Sequence, residues 1–285
     1  MVTASARGGR ERGVLASVGL HLGLVTASLI ALLPVVWIVL TSIQPRHVWQ
    51  STSVEVVRDP TFANYLHVLT ETPFLRWFAN TLVVAGLTTV VALFLAATTG
   101  YAVSRFRFPG MRPLMWSLLI TQMFPVAILI VPLYTVLVRL GLINHHLGLT
   151  LTYLTIAVPF CAWMLRGYFD TIPTEIDEAG RMDGLTPFGT FWRLVLPLAK
   201  PGLAVVGFFA FITAWGEVAF ASAFMIDADN FTLAVGLRTQ FVAERRAEWG
   251  YLSAAAVMIA VPALLVFLGA QRHLEGGLTA GATKT

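Results

Sequence analysis

Residues 174–201 read T-E-I-D-E-A-G-R-M-D-G-L-T-P-F-G-T-F-W-R-L-V-L-P-L-A-K-P and form a polar interruption between two long apolar stretches. The first half is charged, and Gly184, Thr186 and Pro187 predict a break between two short helices. The second half carries apolar residues at helical spacing: Phe188, Phe191, Trp192, Leu194, Val195 and Leu196. The segment therefore predicts a charged two-helix elbow with exposed aromatic side chains, which is suited to docking on another protein.

The composition is that of an integral membrane protein. Hydrophobic residues make up 57% of the chain, charged residues 12%, and the mean hydropathy is +0.76. Soluble domains carry about 25% charged residues. The net charge of +4 comes mainly from arginines that are spread over the loops. This spread is typical of residues that determine the orientation of membrane helices, and it is not the pattern of a nucleic-acid-binding surface. The single cysteine, Cys161, cannot form a disulfide framework or a zinc site, and we predict a buried, unreactive thiol.

Six apolar segments are each long enough to cross a bilayer, which requires about 20 residues. They lack the alternation of barrel strands, so the predicted fold class is an all-α integral membrane protein with six transmembrane helices. Basic residues precede the first segment, as in a signal peptide. Its apolar run exceeds the roughly 7–15 residues of such a peptide, which predicts an uncleaved helix. The predicted spans are 15–43, 77–103, 113–138, 147–167, 201–225 and 251–271.

The distribution of basic residues predicts the orientation. With both termini inside, twelve of the 19 basic residues fall in cytoplasmic segments, which favours a cytoplasmic position for residues 174–201. The predicted division is a cytoplasmic N-terminal segment 1–14, a first transmembrane helix 15–43, an outer loop 44–76, a core 77–271 with a cytoplasmic loop 168–200, and a cytoplasmic tail 272–285.

The polar elbow carries a family resemblance. Glu178-Ala179-Gly180, Asp183-Gly184 and Leu196-Pro197 stand at the spacing of the EAA motif, and the segment resembles the coupling loop of binding-protein-dependent ABC importer permeases. Gly180 replaces the second alanine of that motif. We expect close helix approach to persist, although glycine costs a helix about 1 kcal/mol. The resemblance implies that a separate ATPase subunit is contacted by Glu178, Ala179, Gly180, Asp183, Gly184, Leu196 and Pro197.

Further motifs extend the resemblance to most of the chain from Phe62 onward. F-A-N-Y-L-H-V-L at 62–69 resembles the helix preceding the core of sugar-type permeases, although an amphipathic interfacial helix is an alternative. Q-M-F-P at 122–125 and G-L-T-A-G-A at 277–282 resemble the maltose/maltodextrin permeases of the carbohydrate group. The resemblance implies a type I ABC importer (MetI-like) permease fold. It also implies a contact of the C-terminal tail with the ATPase dimer through Thr279, Ala280 and Gly281.

The resemblance also implies partners and a substrate class. The expected partners are a second, homologous (MalF-like) permease subunit, two ATP-binding subunits, an extracytoplasmic sugar-binding protein and the lipid of a prokaryotic inner or plasma membrane. The expected substrate is an oligosaccharide, with maltose or maltodextrin first and trehalose or another di- or oligosaccharide as the alternative. No G-x-x-x-x-G-K-[ST] segment occurs in the sequence. ATP and Mg²⁺ are thus expected on the partner ATPase subunits, with no cofactor on this chain.

Four residues of the predicted spans are candidates for lining a substrate path: Gln122, Tyr153, Trp215 and Glu217. Glu217 is an acid inside a span, and such a group is a functional-site hypothesis by default. It either lines an aqueous cavity or lies near the outer interface, and a proton relay in a secondary transporter is a more remote alternative. An intramembrane enzyme would need a polar catalytic pair within the spans, which the sequence does not offer. The adjacent pair His145-His146 cannot form a metal site alone.

The predicted outer loop 226–250 is polar and longer than most connections. It contains Asp227, Asp229, Glu244, Glu248 and Trp249. The resemblance implies that this loop reaches toward a delivering binding protein. A passive connector is the alternative.

Overall fold

The computed structural model describes residues 14–45, 59–243 and 246–282. These residues are mostly helical, apart from loops, a 3₁₀ turn at Ala228–Asn230 and a short antiparallel pair, β1 (Val242–Ala243) with β2 (Arg246–Ala247). The helices are α1 (Val14–Ser42), α2 (Ala63–Thr70), α3 (Phe74–Arg105), α4 (Met111–Thr121), α5 (Val126–Leu140), α6 (His146–Phe169), α7 (Glu175–Met182), α8 (Pro187–Leu198), α9 (Lys200–Trp215), α10 (Ala219–Phe224), α11 (Leu233–Phe241) and α12 (Trp249–Ala282).

Four helices of the described chain are long and apolar enough to cross a membrane, namely α1, α3, α6 and α12. Two pairs, α4 with α5 and α8 with α9, meet the same criteria together but are bent by 107° and 83°. The prediction of six spans therefore holds when each bent pair counts as one. The all-α membrane fold predicted from composition is confirmed.

The third predicted span, 113–138, is not one continuous helix. α4 ends at Thr121 and α5 begins at Val126. Pro125 has no N–H to donate, and it disfavours a helical conformation of the residue before it, so the helix ends in this region. Gln122 lies in the break, where its side-chain nitrogen donates to the carbonyl oxygen of Ile156 on α6 (2.9 Å).

The fifth predicted span, 201–225, is also interrupted. α9 ends at Trp215, and the shorter α10 begins at Ala219. The helix pair that meets the length and composition criteria together is instead α8 with α9, which meet at Ala199. Pro201 stands in the first turn of α9, where a missing N–H costs nothing. α9 thus begins one residue before the predicted start of the fifth span and ends ten residues before its predicted end.

The last helix is longer than the predicted sixth span. α12 continues past Gln271 to Ala282, so residues 272–282 of the predicted tail have a helical backbone. Residues 1–13 and 283–285 of the predicted terminal segments lie outside the described residues.

The chain forms two compact units. The smaller unit takes its described residues from Met1–Tyr65 and from Glu248–Val257. Within it, the predicted F-A-N-Y helix contacts the end of α1. Asn64 is buried and donates to the carbonyl oxygens of Ser42 and Gln44 (both 2.8 Å), and the hydroxyl oxygens of Tyr65 and Ser42 are 2.7 Å apart. These bonds cap the C-terminal end of α1.

The larger unit is organised around α3, α6 and α9. Small residues of α3 are buried at its contact with α6, and a Cβ at Gly100 would lie 3.0 Å from the backbone nitrogen of Arg166. Small residues let helices approach closely in membranes. Cys161 is buried in the same core, as predicted. This packing brings the ends of α3 and α6 together at the elbow.

Candidate functional site

Residues 174–201 fold as two helices joined by a tight break. Gly184 follows α7 in a left-handed conformation with φ +77°, which a residue with a side chain adopts only with strain. The Thr186 hydroxyl oxygen accepts the Gly189 N–H (3.1 Å) as the N-cap of α8, and Pro187 stands in the first turn. The break lies where the sequence predicts it, and three different local effects support it.

A buried ion pair holds α7 against the end of α3. Arg105 Nε donates to Asp177 Oδ2 (2.7 Å), and the Tyr101 hydroxyl donates to Asp177 Oδ1 (2.5 Å). The side chains of Arg105 and Asp177 are only 6% and 8% exposed. A carboxylate this deeply buried requires a cation and hydrogen-bond donors around it. The pair therefore fixes the position of α7.

Arg105 also binds the end of α6. Its guanidinium nitrogens donate to the carbonyl oxygens of Phe169 (3.1 Å) and Ile172 (2.8 Å). The last carbonyls of a helix lack partners within the helix, and a cation is favoured there by the helix dipole. One arginine thus connects α3, the C-terminal end of α6 and, through Asp177, α7.

Gly180 allows α7 to pack closely on α8. A Cβ at Gly180 would lie 2.7 Å from the Thr190 hydroxyl oxygen and 3.1 Å from a methyl carbon of Leu194. Gly180 and Thr190 are both buried. The close approach expected from the sequence is present, and it is tighter than an alanine allows unless Thr190 moves.

The elbow presents apolar side chains on its surface. Met182 is 89% exposed, Phe188 63% and Trp192 53%, and the rings of Phe188 and Trp192 stack with centroids 6.3 Å apart. Glu178 and Ala179 are also exposed. Exposed apolar surface of this kind marks interaction sites. We call these five residues the docking face.

The remaining motif residues lie at helix ends. Asp183 is exposed at the end of α7, Leu196 is half-buried, and Pro197 is exposed near the end of α8. A π-helical turn, Phe191–Val195, precedes Leu196 and Pro197 within α8. Such turns inside α-helices are frequent at functional sites.

Two of the predicted path residues, Tyr153 and Trp215, are buried in the core. The Trp215 ring packs against Phe78 and Phe211, with centroids 5.9 and 5.0 Å away. Its indole nitrogen has no hydrogen-bond partner among the described residues. Gln122 is exposed in the break between α4 and α5. The structure brings Tyr153 to Glu217, whereas Gln122 binds elsewhere on α6.

Glu217 caps α10. Its carboxylate oxygens accept the N–H groups of Phe220 (2.9 Å) and Ala221 (3.1 Å), and the Tyr153 hydroxyl donates to Oε2 (2.8 Å). Negative charge is stabilised at a helix N terminus. These bonds provide a structural reason for an acid at this break, and they include no second acid or histidine of the kind a proton relay uses.

The segment 226–243 is bound to the N-terminal end of α3. Trp77 Nε1 donates to the Ala228 carbonyl oxygen (2.8 Å), and Asn80 donates to the Asp229 carbonyl oxygen (2.8 Å). The Asp229 carboxylate forms an ion pair with Arg76. This loop therefore lies at the end of α3 opposite the elbow.

Asn144 secures the same loop from a second position. Its side-chain oxygen accepts the N–H groups of Ile226 (3.0 Å) and Asp227 (3.1 Å), and its nitrogen donates to Asp227 Oδ2 (2.6 Å). The carboxylates of Asp227 and Asp229 are thus both bonded within the chain, and Glu244 lies outside the described residues. A contact of this loop with a binding protein stays a prediction.

The predicted contact of the tail with an ATPase lies at the end of α12. Thr279, Ala280 and Gly281 belong to the α12 backbone, and their side chains lie outside the described residues, so their contact stays a prediction.

Over the described ranges, no group of three or more His, Cys, Asp or Glu side chains could hold a metal. One His146 ring nitrogen is 3.0 Å from the Asn230 carbonyl oxygen, so this histidine has a local partner.

The anchor of the elbow is absent from the residues that sequence reasoning selects. In the sequence, Arg105 is one of the arginines that indicate topology, and Asp177 is one of several charged residues of the elbow. Neither residue is therefore selected as a functional residue. The available signal is the spacing of Tyr101 and Arg105, which are four residues apart and so share one face at the end of a predicted span. A donor pair of this kind beside an acidic loop predicts a buried carboxylate.

Comparisons with known proteins agree with this geometry. Residues 89–279 match the family model described as the binding-protein-dependent transport system inner membrane component. The chain is 35% identical to the inner membrane ABC transporter permease protein YcjP of Escherichia coli K12, over 96% of this chain and 99% of the relative. It is 42% identical to the maltose/maltodextrin transport system permease protein MalG of Salmonella typhimurium, over 74% of this chain and 73% of MalG.

Solved structures show the same fold. A chain of a bacterial ABC transporter involved in the import of the acidic polysaccharide alginate superimposes with a TM-score of 0.78 at 24% identity, covering 95% of this chain and 99% of that chain. A chain of the MetNI methionine ABC transporter, in inward-facing conformations, matches with a TM-score of 0.56 at 21% identity, over 74% of this chain and 96% of that chain.

Proposed function

Because the chain belongs to the family of binding-protein-dependent transport system inner membrane components and is a permease subunit of an ABC importer related to sugar permeases, we propose that it carries oligosaccharides. Maltose and maltodextrins are the first candidates, since MalG is 42% identical to this chain. Trehalose and other di- or oligosaccharides are the next candidates, because identity at this level leaves the individual sugar open.

One feature of the elbow supports coupling of this permease to a separate ATPase subunit. Its inner side is fixed by the buried pair Arg105–Asp177, while the docking face on its surface exposes two stacked aromatic rings and Met182 beside Glu178. A loop that served only as a connector would need neither a buried ion pair nor exposed stacked aromatics. This combination suits a rigid lever with a partner on its outer side, and we assign that partner as an ATPase subunit.

The proposed mechanism is alternating access. Closure of two ATP-binding subunits displaces the docking face, and the elbow moves as a rigid body. Arg105 transmits that displacement to α3 and to the end of α6, because it bonds to Asp177 and to the Phe169 and Ile172 carbonyls together. Rotation of packed helices then opens the path outward, and hydrolysis resets it. ATP and Mg²⁺ belong to the partner subunits, and no catalytic residue is assigned to this chain.

The proposed assembly contains a second, MalF-like permease subunit and an extracytoplasmic sugar-binding protein in addition to the two ATPase subunits. In the proposed orientation both termini and the elbow are cytoplasmic, as the distribution of arginines favours. Thr279, Ala280 and Gly281 are assigned to the ATPase interface. Glu178, Gly180 and Gly184 belong to the coupling loop, and Asp183, Ala179, Leu196 and Pro197 complete it.

The substrate path is proposed to run where helices are interrupted. Gln122 lies at the break between α4 and α5, and Glu217 at the break between α9 and α10. Non-helical backbone at membrane depth is tolerated where it lines a cavity or is buried in protein. Tyr153 and Trp215 are assigned a supporting role, because both are buried and Tyr153 holds the Glu217 carboxylate.

ATP hydrolysis by the purified assembly tests the proposal. The chain is co-expressed with its partner permease and ATPase subunits, reconstituted in lipid, and assayed with the binding protein and maltose, longer maltodextrins, trehalose or sucrose. We expect hydrolysis to be stimulated by one class of sugar together with the binding protein.

Two outcomes decide against parts of the proposal. Hydrolysis stimulated by a non-carbohydrate substrate would remove the sugar assignment while leaving the importer intact. Failure to co-purify an ATPase, combined with uptake driven by a pH gradient that requires Glu217, would overturn the importer mechanism itself.

A further inference from the structure

We propose that the cavity between the ends of α3, α4 and α6 binds the phosphate headgroup of an anionic phospholipid. The cavity has a volume of about 990 Å³, which is large for one phosphate and suitable for a headgroup with its glycerol. Its lining includes four arginines and a single acid: Arg105, Arg107, Arg112, Arg166 and Asp170.

The arginines of this cavity differ in how they are bonded. Arg105 is occupied by Asp177 and by two carbonyl oxygens. Arg107 and Arg112 are exposed and form no ion pair or hydrogen bond within the described chain. Two guanidinium groups are therefore free to bind a phosphate, a group that arginine recognises with two parallel hydrogen bonds.

Arg166 provides a third donor on the α6 side. Its Nε is buried without a hydrogen-bond partner among the described residues, and it lies 3.7 Å from Asp170 Oδ2. The Asp170 carboxylate is shared, because Oδ1 accepts the Ser104 hydroxyl (2.6 Å). One shared acid does not neutralise the three arginines, so the cavity keeps an excess of positive charge.

The position of the cavity favours a lipid over a soluble anion. α3 and α6 are both helices able to cross a membrane, and both end at this cavity. Trp116 and Trp163 line it and are largely exposed, and tryptophan is enriched at the level of lipid headgroups. Basic pockets between transmembrane helices bind the headgroups of anionic lipids. The cavity adjoins the Arg105 anchor, so a bound headgroup would lie beside the elbow.

Retention of phosphatidylglycerol by the intact assembly tests this site. The assembly is reconstituted in nanodiscs of phosphatidylcholine with phosphatidylglycerol, extracted into detergent, and analysed for bound lipid by native mass spectrometry. We expect wild type to retain phosphatidylglycerol, and Arg107→Gln/Arg112→Gln to retain about tenfold less, because each lost cation weakens headgroup binding. Arg139→Gln/Arg238→Gln removes the same charge from two exposed arginines outside the cavity and should match wild type.

Further arms separate the sources of the phosphate. Inorganic phosphate at millimolar concentration should not displace the lipid, and Arg107→Lys/Arg112→Lys should retain an intermediate amount. If the glutamine variant fails to assemble, the lysine variant and Trp163→Ala still report on the site. Equal retention by wild type and cavity variants overturns the proposal. Displacement by inorganic phosphate, or photocrosslinking from position 116 to a partner subunit instead of lipid, overturns it as well.

Discussion

The elbow and the outer segment 226–243 lie at opposite ends of α3 and use their polar residues differently. Trp77 and Arg105, which contact the two regions, are about 42 Å apart at 1.5 Å per residue. In the outer segment, Asp227 and Asp229 are bonded to neighbouring residues at the surface. In the elbow, Asp177 is buried under Arg105 and Tyr101, and large apolar side chains, Met182, Phe188 and Trp192, are exposed among the surface charges.

This difference shows that the two segments are held in place in different ways. A surface hydrogen-bond network such as that of Asn144 holds a loop in place while its polar groups remain in contact with water. A buried charge pair is costly to form and to break, and apolar exposed residues are disfavoured in water. The elbow is therefore fixed on its inner side and exposes large apolar side chains on its outer side, whereas Asp227 and Asp229 of the outer segment are bonded within the chain. Five substitutions test this contrast, in order of decreasing effect on stability.

Arg105→Met should have the largest effect. The substitution leaves the Asp177 carboxylate buried without its cation. Removing one partner of a buried ion pair typically lowers the free energy of unfolding by about 3–5 kcal/mol. We expect a large loss of thermal stability in the purified assembly and loss of coupled ATP hydrolysis. Arg139→Met, at the exposed end of α5, should change stability by less than about 0.5 kcal/mol. Arg105→Met/Asp177→Asn should recover part of the loss, and equal stability of Arg105→Met and wild type contradicts the anchor.

Gly236→Ala should have the next largest effect, at the outer end. A Cβ there would lie 2.2 Å from a ring carbon of Trp77, which is itself buried and bonded to Ala228. Overpacking of this kind costs about 1–3 kcal/mol, measured as a fall in thermal stability of the assembly. The matched change in the elbow is Gly180→Ala.

Gly180→Ala should cost less than Gly236→Ala. Its closest neighbour is the Thr190 side chain, which can shift, and alanine gains about 1 kcal/mol of helix propensity. A larger loss for Gly180→Ala than for Gly236→Ala would mean that the elbow is the more tightly packed of the two regions.

Gly184→Asp should have a moderate effect on stability and a large one on coupling. A side chain at φ +77° costs about 1 kcal/mol, and the added carboxylate changes the charge beside the docking face. We expect the subunit to insert in the membrane, with sugar-stimulated ATP hydrolysis lost. Gly184→Asn, which tolerates the left-handed conformation without the charge, should retain more of it. Full coupling in Gly184→Asp contradicts the docking assignment.

Trp192→Ala should have the smallest effect on stability, below about 0.5 kcal/mol, because the side chain is 53% exposed. It removes half of the stacked pair with Phe188, so we expect reduced co-purification of the ATPase subunits. Trp249→Ala, an exposed tryptophan outside the elbow, serves as the control and should leave co-purification unchanged. Equal retention of the ATPase in both variants would contradict the docking face.

The sequence predicted the helical class, the limits of α3 and α6, and the break at Gly184 and Thr186. These features depend on local properties: runs of apolar residues, and glycine, threonine and proline at helix ends. It did not predict the interruptions of the third and fifth spans. Hydrophobicity continues through Pro125 and through Gly216, and composition does not distinguish a broken helix from a continuous one.

The amino-acid sequence by itself determined that this chain is a membrane protein with a polar elbow, because apolar length and turn chemistry are properties of neighbouring residues. Only the tertiary structure shows which charged residues form the buried ion pair that anchors the elbow. Asp177 and Arg105 are 72 residues apart, and their pairing depends on the packing of α3 against α6. The same is true of Glu217, whose role as a cap follows from where α9 ends and α10 begins. The spacing of Tyr101 and Arg105 is a local signal that the two share one helix face, but the carboxylate that they bind is distant in the sequence, and only the tertiary structure identifies it.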